Sequence, residues 1–339
     1  MAEYLVIDTE SCTGHADDGS LCSIGYVLTD ENFNEIKKED VIFNPLPGKF
    51  RVGDKKNFKR TGVEFAYSVE EFRKAPRFIE KYEEIRKLFE GKTILGFSMG
   101  NDVKYLNDAC DSFRLPRISY TFYDIQSLYK LLVPEENAIG LKTLTEKYGI
   151  TYQPHRSDED AEVSLLLLKK FLDQFGYTFA SLIGKYGVHA GVNDKEGYYL
   201  PFSEAHLREK YGLKLSKRTQ GVIFNDFVSS LPYPKRSRTT VCFSYKLEKR
   251  DIHYLRSLIE RMLEKGYYFT RDFDVCDYFV YDGTDDGDKR LALLNEYSAK
   301  RKKPIVCEIG KWEETIGFTG AKRYDDTAFL IAKSSEKTR

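Results

Sequence analysis

The chain has no excess of charge of either sign. Lys plus Arg and Asp plus Glu both number 53, so no global positive field announces nucleic acid, and any such binding must rest on a local surface. It also has no Cys-x-x-Cys pair and no Cys/His cluster at zinc-ligand spacing. Its six cysteines (Cys12, Cys22, Cys110, Cys242, Cys276 and Cys307) are scattered, which points to reduced, mostly buried thiols rather than a disulfide framework. No apolar run reaches the length of a membrane span, and the opening residues run into an acidic motif without a basic, apolar leader. These absences lead us to expect a soluble, cytoplasmic protein with no membrane partner. No internal repeat or low-complexity tract is evident.

What is present is ordinary globular composition, 41% hydrophobic and 31% charged, over 339 residues, a length that suggests two domains. Short apolar runs at Tyr4-Leu5-Val6-Ile7, Ser23 to Leu28 and Val41-Ile42-Phe43 read as three strands. Apolar residues at helical spacing from Val69 to Phe89 predict a helix that Gly91 stops, and Thr93 to Phe97 predicts a further strand. A helix through Val103 to Leu106, a strand near Thr121 to Asp124, short helices at Ser127 to Val133 and Leu141 to Tyr148, and a long helix from Asp158 to Phe175 follow. This alternation predicts an α/β sheet flanked by helices over residues 1–175.

Residues 176–238 carry a weaker pattern, a connector with a helix near Glu204 to Tyr211 and a linker-like stretch from Leu231 to Arg238. From Thr239 the alternation returns: strand (Val241 to Phe243), helix (Ile252 to Lys265), strands at Tyr267 to Phe269 and Tyr278 to Val280, helix (Asp288 to Lys300), strand (Ile305 to Cys307). This is a second, small α/β domain over 239–320, followed by a tail, 321–339.

Three acidic segments carry chemistry. Asp8-Thr9-Glu10 follows the first apolar run, and period-two geometry puts its two carboxylates on one side of the strand. Asp102 stands beyond a strand at the start of a helix, where a first-turn or capping acid is also expected. His155 and Asp160 lie where a loop enters the last helix, a place that attracts acids on electrostatic grounds alone. Each segment has a structural reading, but a hard divalent ion needs carboxylate oxygens drawn from separate segments, and together they supply them.

The order Asp-x-Glu, Asp, His-x4-Asp, each in its strand or helix context over about residues 1–173, resembles the DEDDh 3′→5′ exonucleases. That superfamily includes the DNA polymerase III epsilon proofreading subunit, ribonuclease T and oligoribonuclease. The resemblance implies a ribonuclease H-like mixed sheet and a site made of Asp8, Glu10, Asp102, His155 and Asp160. It further implies that Asp8, Glu10, Asp102 and Asp160 bind two Mg²⁺ or Mn²⁺ ions, with His155 as general base. Arg156 stands where the sister class carries tyrosine. Asp158 is a rival for the fourth acid, but its spacing and Ala161 favour Asp160, leaving Asp158 as a cap or solvated acid. Thr9 and Ser11 are candidate substrate contacts. The sequence departs from the family in Ser11-Cys12, in a polar insertion from Gly14 to Ser20, and in Phe97-Ser98 where a His-Asn pair is usual; Phe97 reads as core.

Residues 239–320, with a helix ending at Gly266, the strand at Asp277 to Val280, a helix after Lys289, Pro304 to Val306 and Trp312 on a last helix, resemble a BRCT domain. Such domains bind partner proteins, phosphopeptides or DNA ends. The Ser/Thr-Gly pair of phosphate-binding versions is absent at Phe243-Ser244-Tyr245. An unrelated four-stranded module is the alternative. Two basic runs, Lys300 to Lys303 and Lys235 to Arg238, read as solvated faces or as phosphate contacts. His189, His206 and His253 have no partner pattern. The expected substrate is single-stranded or 3′-overhang DNA in proofreading or repair. RNA or short oligoribonucleotides, or a catalytically weak nuclease-fold scaffold with a binding module, are the alternatives.

Overall fold

A computed structural model describes residues 3–12, 20–45, 65–134, 139–152, 154–199, 203–232, 238–283, 287–296 and 303–330. These fall into two compact units, residues 3–213 with 329–330, and residues 214–328. Residues 14–19 of the insertion, the basic residues Lys235, Arg236, Lys300, Arg301 and Lys302, the end of the expected 288–300 helix and the tail beyond 330 lie outside the described residues.

The first unit is built on a seven-stranded mixed sheet in the order β3-β2-β1-β4-β5-β6-β7. Strands β1 (Tyr4–Ser11), β2 (Leu21–Thr29) and β3 (Glu35–Ile42) form an antiparallel meander. Strands β4 (Thr93–Gly96) and β5 (Tyr120–Asp124) run parallel to β1, and β6 (Gly191–Asp194) and β7 (Gly197–Tyr199) complete the sheet antiparallel. Period two divides β1 between two cores: Val6 packs with the helices α4 (Ile125–Leu132), α6 (Ser157–Phe175) and α7 (Phe179–Tyr186). Leu5 and Ile7 pack with α2 (Phe78–Phe89) and α3 (Gly100–Ser112) on the other face. Helix α5 (Leu141–Lys147) lies against α6.

The helix expected over Val69 to Phe89 is two, α1 (Val69–Lys74) and α2. Pro76 disfavours helical geometry at the residue before it, and Ala75 is extended (φ −67°, ψ 156°). The expected connector contributes packed structure to both units. In the first, Asn193 of β6 and Asn107 of α3 exchange buried amide hydrogen bonds of 2.8 and 3.1 Å. Arg208, on α8 (Glu204–Lys210), donates to the carbonyls of Lys130 and Leu131 at the end of α4. These short strands and buried polar locks carry little hydrophobic periodicity, which is why their pattern is weak in the sequence.

The second unit has a parallel four-stranded sheet in the order β11-β10-β8-β9, formed by β8 (Thr239–Phe243), β9 (Tyr267–Phe269), β10 (Tyr278–Tyr281) and β11 (Ile305–Glu308). Helix α9 (Lys217–Ser230) packs on α10 (Ile252–Glu264), and α11 (Lys289–Glu296) and α12 (Ile309–Ile316) complete the alternation. Residues 321–328, expected as tail, dock on α10: Tyr324 stacks on His253 and Asp326 pairs with Arg256 at 2.5 Å. Trp312 is fully buried between Tyr267 and Tyr278, with ring centroids 5.0 and 5.2 Å away. Trp312→Ala should therefore lower the unfolding free energy by about 3–5 kcal/mol. Trp312→Phe should cost less in denaturant unfolding, because it keeps a ring there and removes an indole N–H with no hydrogen-bond partner among the described residues.

Candidate active site

The even-numbered residues of β1 continue the face of Val6 toward α6, so Asp8 and Glu10 look toward its first turn. Asp8 lies opposite Gly25 in the β1–β2 ladder. A Cβ on Gly25 would stand 1.9 Å from the Ser157 carbonyl carbon and 2.0 Å from the Asp158 nitrogen. Glycine alone admits the start of α6 onto the strand, where the Ser23 and Ser157 hydroxyls hydrogen-bond. This approach delivers Asp160: one carboxylate oxygen from each of Asp8, Glu10 and Asp160 lies within 4.8 Å of the others.

Thr9 faces the opposite way, toward α3. Its N–H and its hydroxyl both donate to Asp102 Oδ1, each at 2.8 Å, and Asp102 is 5% exposed. Asp102 is thus outside the triangle of the other three acids, yet its charge is the largest carboxylate influence on Asp8. Burial, and then the charges of Asp102, Asp160 and Glu10, push the Asp8 pKa well above the carboxylate range. Burial likewise raises Asp102 to about 7 against the two Thr9 hydrogen bonds. Asp160 rises to about 7 through burial and the Glu10 charge, although the His155 N–H donates to its Oδ2 at 2.9 Å.

His155 has a left-handed backbone (φ 66°), rare for a residue with a side chain, and its carbonyl accepts from Ala66 N at 3.4 Å. Its imidazole is 44% exposed, with Nδ1 3.4 Å from Glu10 Oε1. That contact raises the imidazole pKa, partly opposed by burial. All five residues expected from the sequence therefore gather at the β1 end, His155 on the exposed side.

The two candidate substrate residues are engaged internally, Thr9 with Asp102 and Ser11 through Oγ with the backbone of Ser20 at 3.1 and 3.3 Å. Phe97 is in the core as expected. Asp158 is neither a member of the acid triangle nor a solvated acid: it is 4% exposed and fork-bonded by Arg156. Sequence reasoning passed over Gly25 and Tyr152. The Tyr152 hydroxyl lies at the Asp160 carboxylate, and burial and the Asp160 charge push its pKa up to about 12. Its position three residues before His155 was the available signal.

The donor set of the triangle is carboxylate oxygen alone, the chemistry that Mg²⁺ and Mn²⁺ take. The repulsion that raises these pKa values is what a divalent charge relieves. The residues fit such a cation.

Residues 5–168 match the RNase T family, described as Exonuclease. No curated protein matches the chain. Among solved structures it is similar to a 3′-exonuclease described in 3′-end specific recognition of histone mRNA stem-loop, at 15% identity over 51% of this chain and 64% of that one, TM-score 0.42. It is also similar to the nuclease domain of 3′hExo, a DEDDh family member bound to rAMP (17%, 51% and 92%, TM-score 0.42). A third is E. coli exonuclease I in complex with a dA16 oligonucleotide (18%, 55% and 43%, TM-score 0.42). The match spans less than two thirds of the first and third of these chains. Residues 5–168 are an RNase T-type exonuclease domain, a hydrolase.

Two outcomes follow for the metal-free protein. Unfolded carboxyls titrate near about 4, whereas Asp102 and Asp160 hold their protons to about 7. Between those values the unfolded chain releases protons that the folded one keeps, so stability falls as pH rises through this window and stays low above it. Thermal unfolding should show Mn²⁺ stabilising the protein more at pH 8 than at pH 5, and an equal shift at both would contradict these assignments. Gly25→Ala should cost about 1–3 kcal/mol or more by overpacking and weaken the Mn²⁺ shift, because α6 must retreat from Asp8.

Proposed function

We propose that the chain is a metal-dependent 3′→5′ exonuclease that hydrolyses the terminal phosphodiester bond of single-stranded or 3′-overhanging DNA, with a BRCT-like second unit that engages a protein or DNA partner. The observation that carries this reading is the convergence of Asp8, Glu10 and Asp160 beside Asp102 and His155, inside residues matched to an exonuclease family. In this reading Asp8, Glu10, Asp102 and Asp160 hold two Mg²⁺ or Mn²⁺ ions. Bound there, such ions would supply charge relief at the phosphate and lower the pKa of a water.

The chain's own residues do the rest. Thr9 fixes the Asp102 carboxylate by occupying one oxygen, so that the other faces a single direction. His155 accepts the water's proton and must be neutral to do so; the Glu10 contact holds its pKa up, so activity rises with pH to a plateau above the ordinary imidazole value of about 6.5.

The choice of DNA rests on the second unit. Its strand and helix alternation, its parallel sheet and the buried Trp312 support the BRCT-like reading. Ser244, at the end of β8, is fully buried with Oγ accepting from Leu247 N at 3.1 Å, and the Lys246 N–H is taken by Asp288. This favours a protein or DNA partner over a phosphopeptide.

The test is incubation of 5′-labelled single-stranded DNA, 3′-overhang DNA and RNA of matched sequence with the purified chain in Mg²⁺, Mn²⁺ or EDTA. Stepwise shortening from the 3′ end, fastest on DNA and lost in EDTA and in Asp8→Ala, is expected. His155→Ala should slow cleavage by about 10²–10⁴-fold and flatten its pH dependence. Faster shortening of RNA would reverse the substrate assignment, and no shortening by folded, metal-bound protein would overturn the activity.

A further inference from the structure

We propose that Asp158 is a positioning residue for His155, acting through Arg156; this rests on the reading of His155 as the proton acceptor. His155 occupies a left-handed backbone conformation that a residue with a side chain adopts only when its surroundings enforce it. Part of that enforcement comes from bonds to His155 itself, through its N–H to Asp160 and its carbonyl to Ala66.

The rest acts on the next residue. Arg156 is 42% exposed at its side chain and begins α6 without a capping hydrogen bond of its own. Its guanidinium folds back onto Asp158, Nε to Oδ1 at 2.8 Å and Nη2 to Oδ2 at 3.2 Å, a fork that fixes orientation as well as distance. Asp158 is itself buried and anchored: its backbone lies on Gly25, its side chain is 5% exposed, and Lys38 of β3 stands 3.9 Å from Oδ2. Lys38 is shared with Glu159 at 3.1 Å and Glu162 at 2.5 Å, tying the first turns of α6 to the sheet. The Tyr67 hydroxyl donates to Asp40 at 2.9 Å, and both sit within the field of Arg156.

A buried carboxylate anchored to the sheet thus holds a guanidinium that would otherwise extend into water, and the guanidinium fixes the backbone next to His155. Asp158 is not among the three acids whose carboxylate oxygens come together. Its loss should let His155 leave Glu10 while the acids stay in place.

The experiment compares wild type, Asp158→Asn, Arg156→Gln and the double variant. Asparagine keeps the shape and first-turn position but loses the ion pair. Single-turnover kinetics on the best substrate should show kcat reduced about 10- to 100-fold, KM within about twofold, and no further loss in the double variant, since both changes break one contact. The Mn²⁺-induced shift in melting temperature should persist in all four proteins. The His155 amide, followed by hydrogen exchange, should lose protection in both single variants whether or not the wild type cleaves nucleic acid. Wild-type kcat and protection in Asp158→Asn would overturn the proposal, and so would loss of its Mn²⁺ shift, which would make Asp158 a ligand. Lost protection in the variants with an inactive wild type would sink the exonuclease reading alone.

Discussion

The site depends on one close contact, that of the first turn of α6 with β2 at Gly25. Asp160, His155 and Asp158 all ride on that turn or the loop that enters it, while Asp8 and Glu10 belong to the neighbouring strand. Any side chain at Gly25 would place its Cβ inside the Ser157 and Asp158 backbone. The start of α6, and Asp160 with it, would then have to move away from Asp8 and Glu10, so a residue with no functional group sets the geometry of those that have one.

That contact also concentrates charge. Burial in the folded state disfavours several carboxylates at once, and the network around them does not neutralise the cluster. The cations nearby, Lys38 and Arg156, are committed to Asp158, Glu159 and Glu162. The acids at the β1 end are therefore left in mutual repulsion, an arrangement that costs stability without a cation and suits a site built to take one. Such local cost is characteristic of function placed on a scaffold.

Strand parity explains why the acids divide as they do. Asp8 and Glu10 share the Val6 face and meet α6, whereas Thr9 turns to α3 and takes Asp102. The middle residue of the Asp-Thr-Glu motif thus links the two helix layers through the strand end. Thr9, a candidate substrate contact, donates its hydroxyl hydrogen to Asp102.

Much of this was legible in the sequence, because strong patterns are local. Alternating and helical periodicities placed the meander, β4, β5, α6 and the second sheet, since each buries a face whose spacing is set by the backbone alone. The four acids and the histidine could be singled out in the sequence because a hard divalent ion takes carboxylate oxygens from separate segments. The break at Pro76 was also written there and was overridden by apolar spacing on either side. What only the tertiary structure decided is whatever depends on contact between distant segments. It assigned residues 176–213 to the first unit through Asn193 and Arg208, and docked Tyr324 and Asp326 on α10. It buried Asp158 against Arg156, and it made Gly25 the place where a helix meets a strand. A glycine or a lone acid carries no period, and its meaning comes from what lies beside it in space.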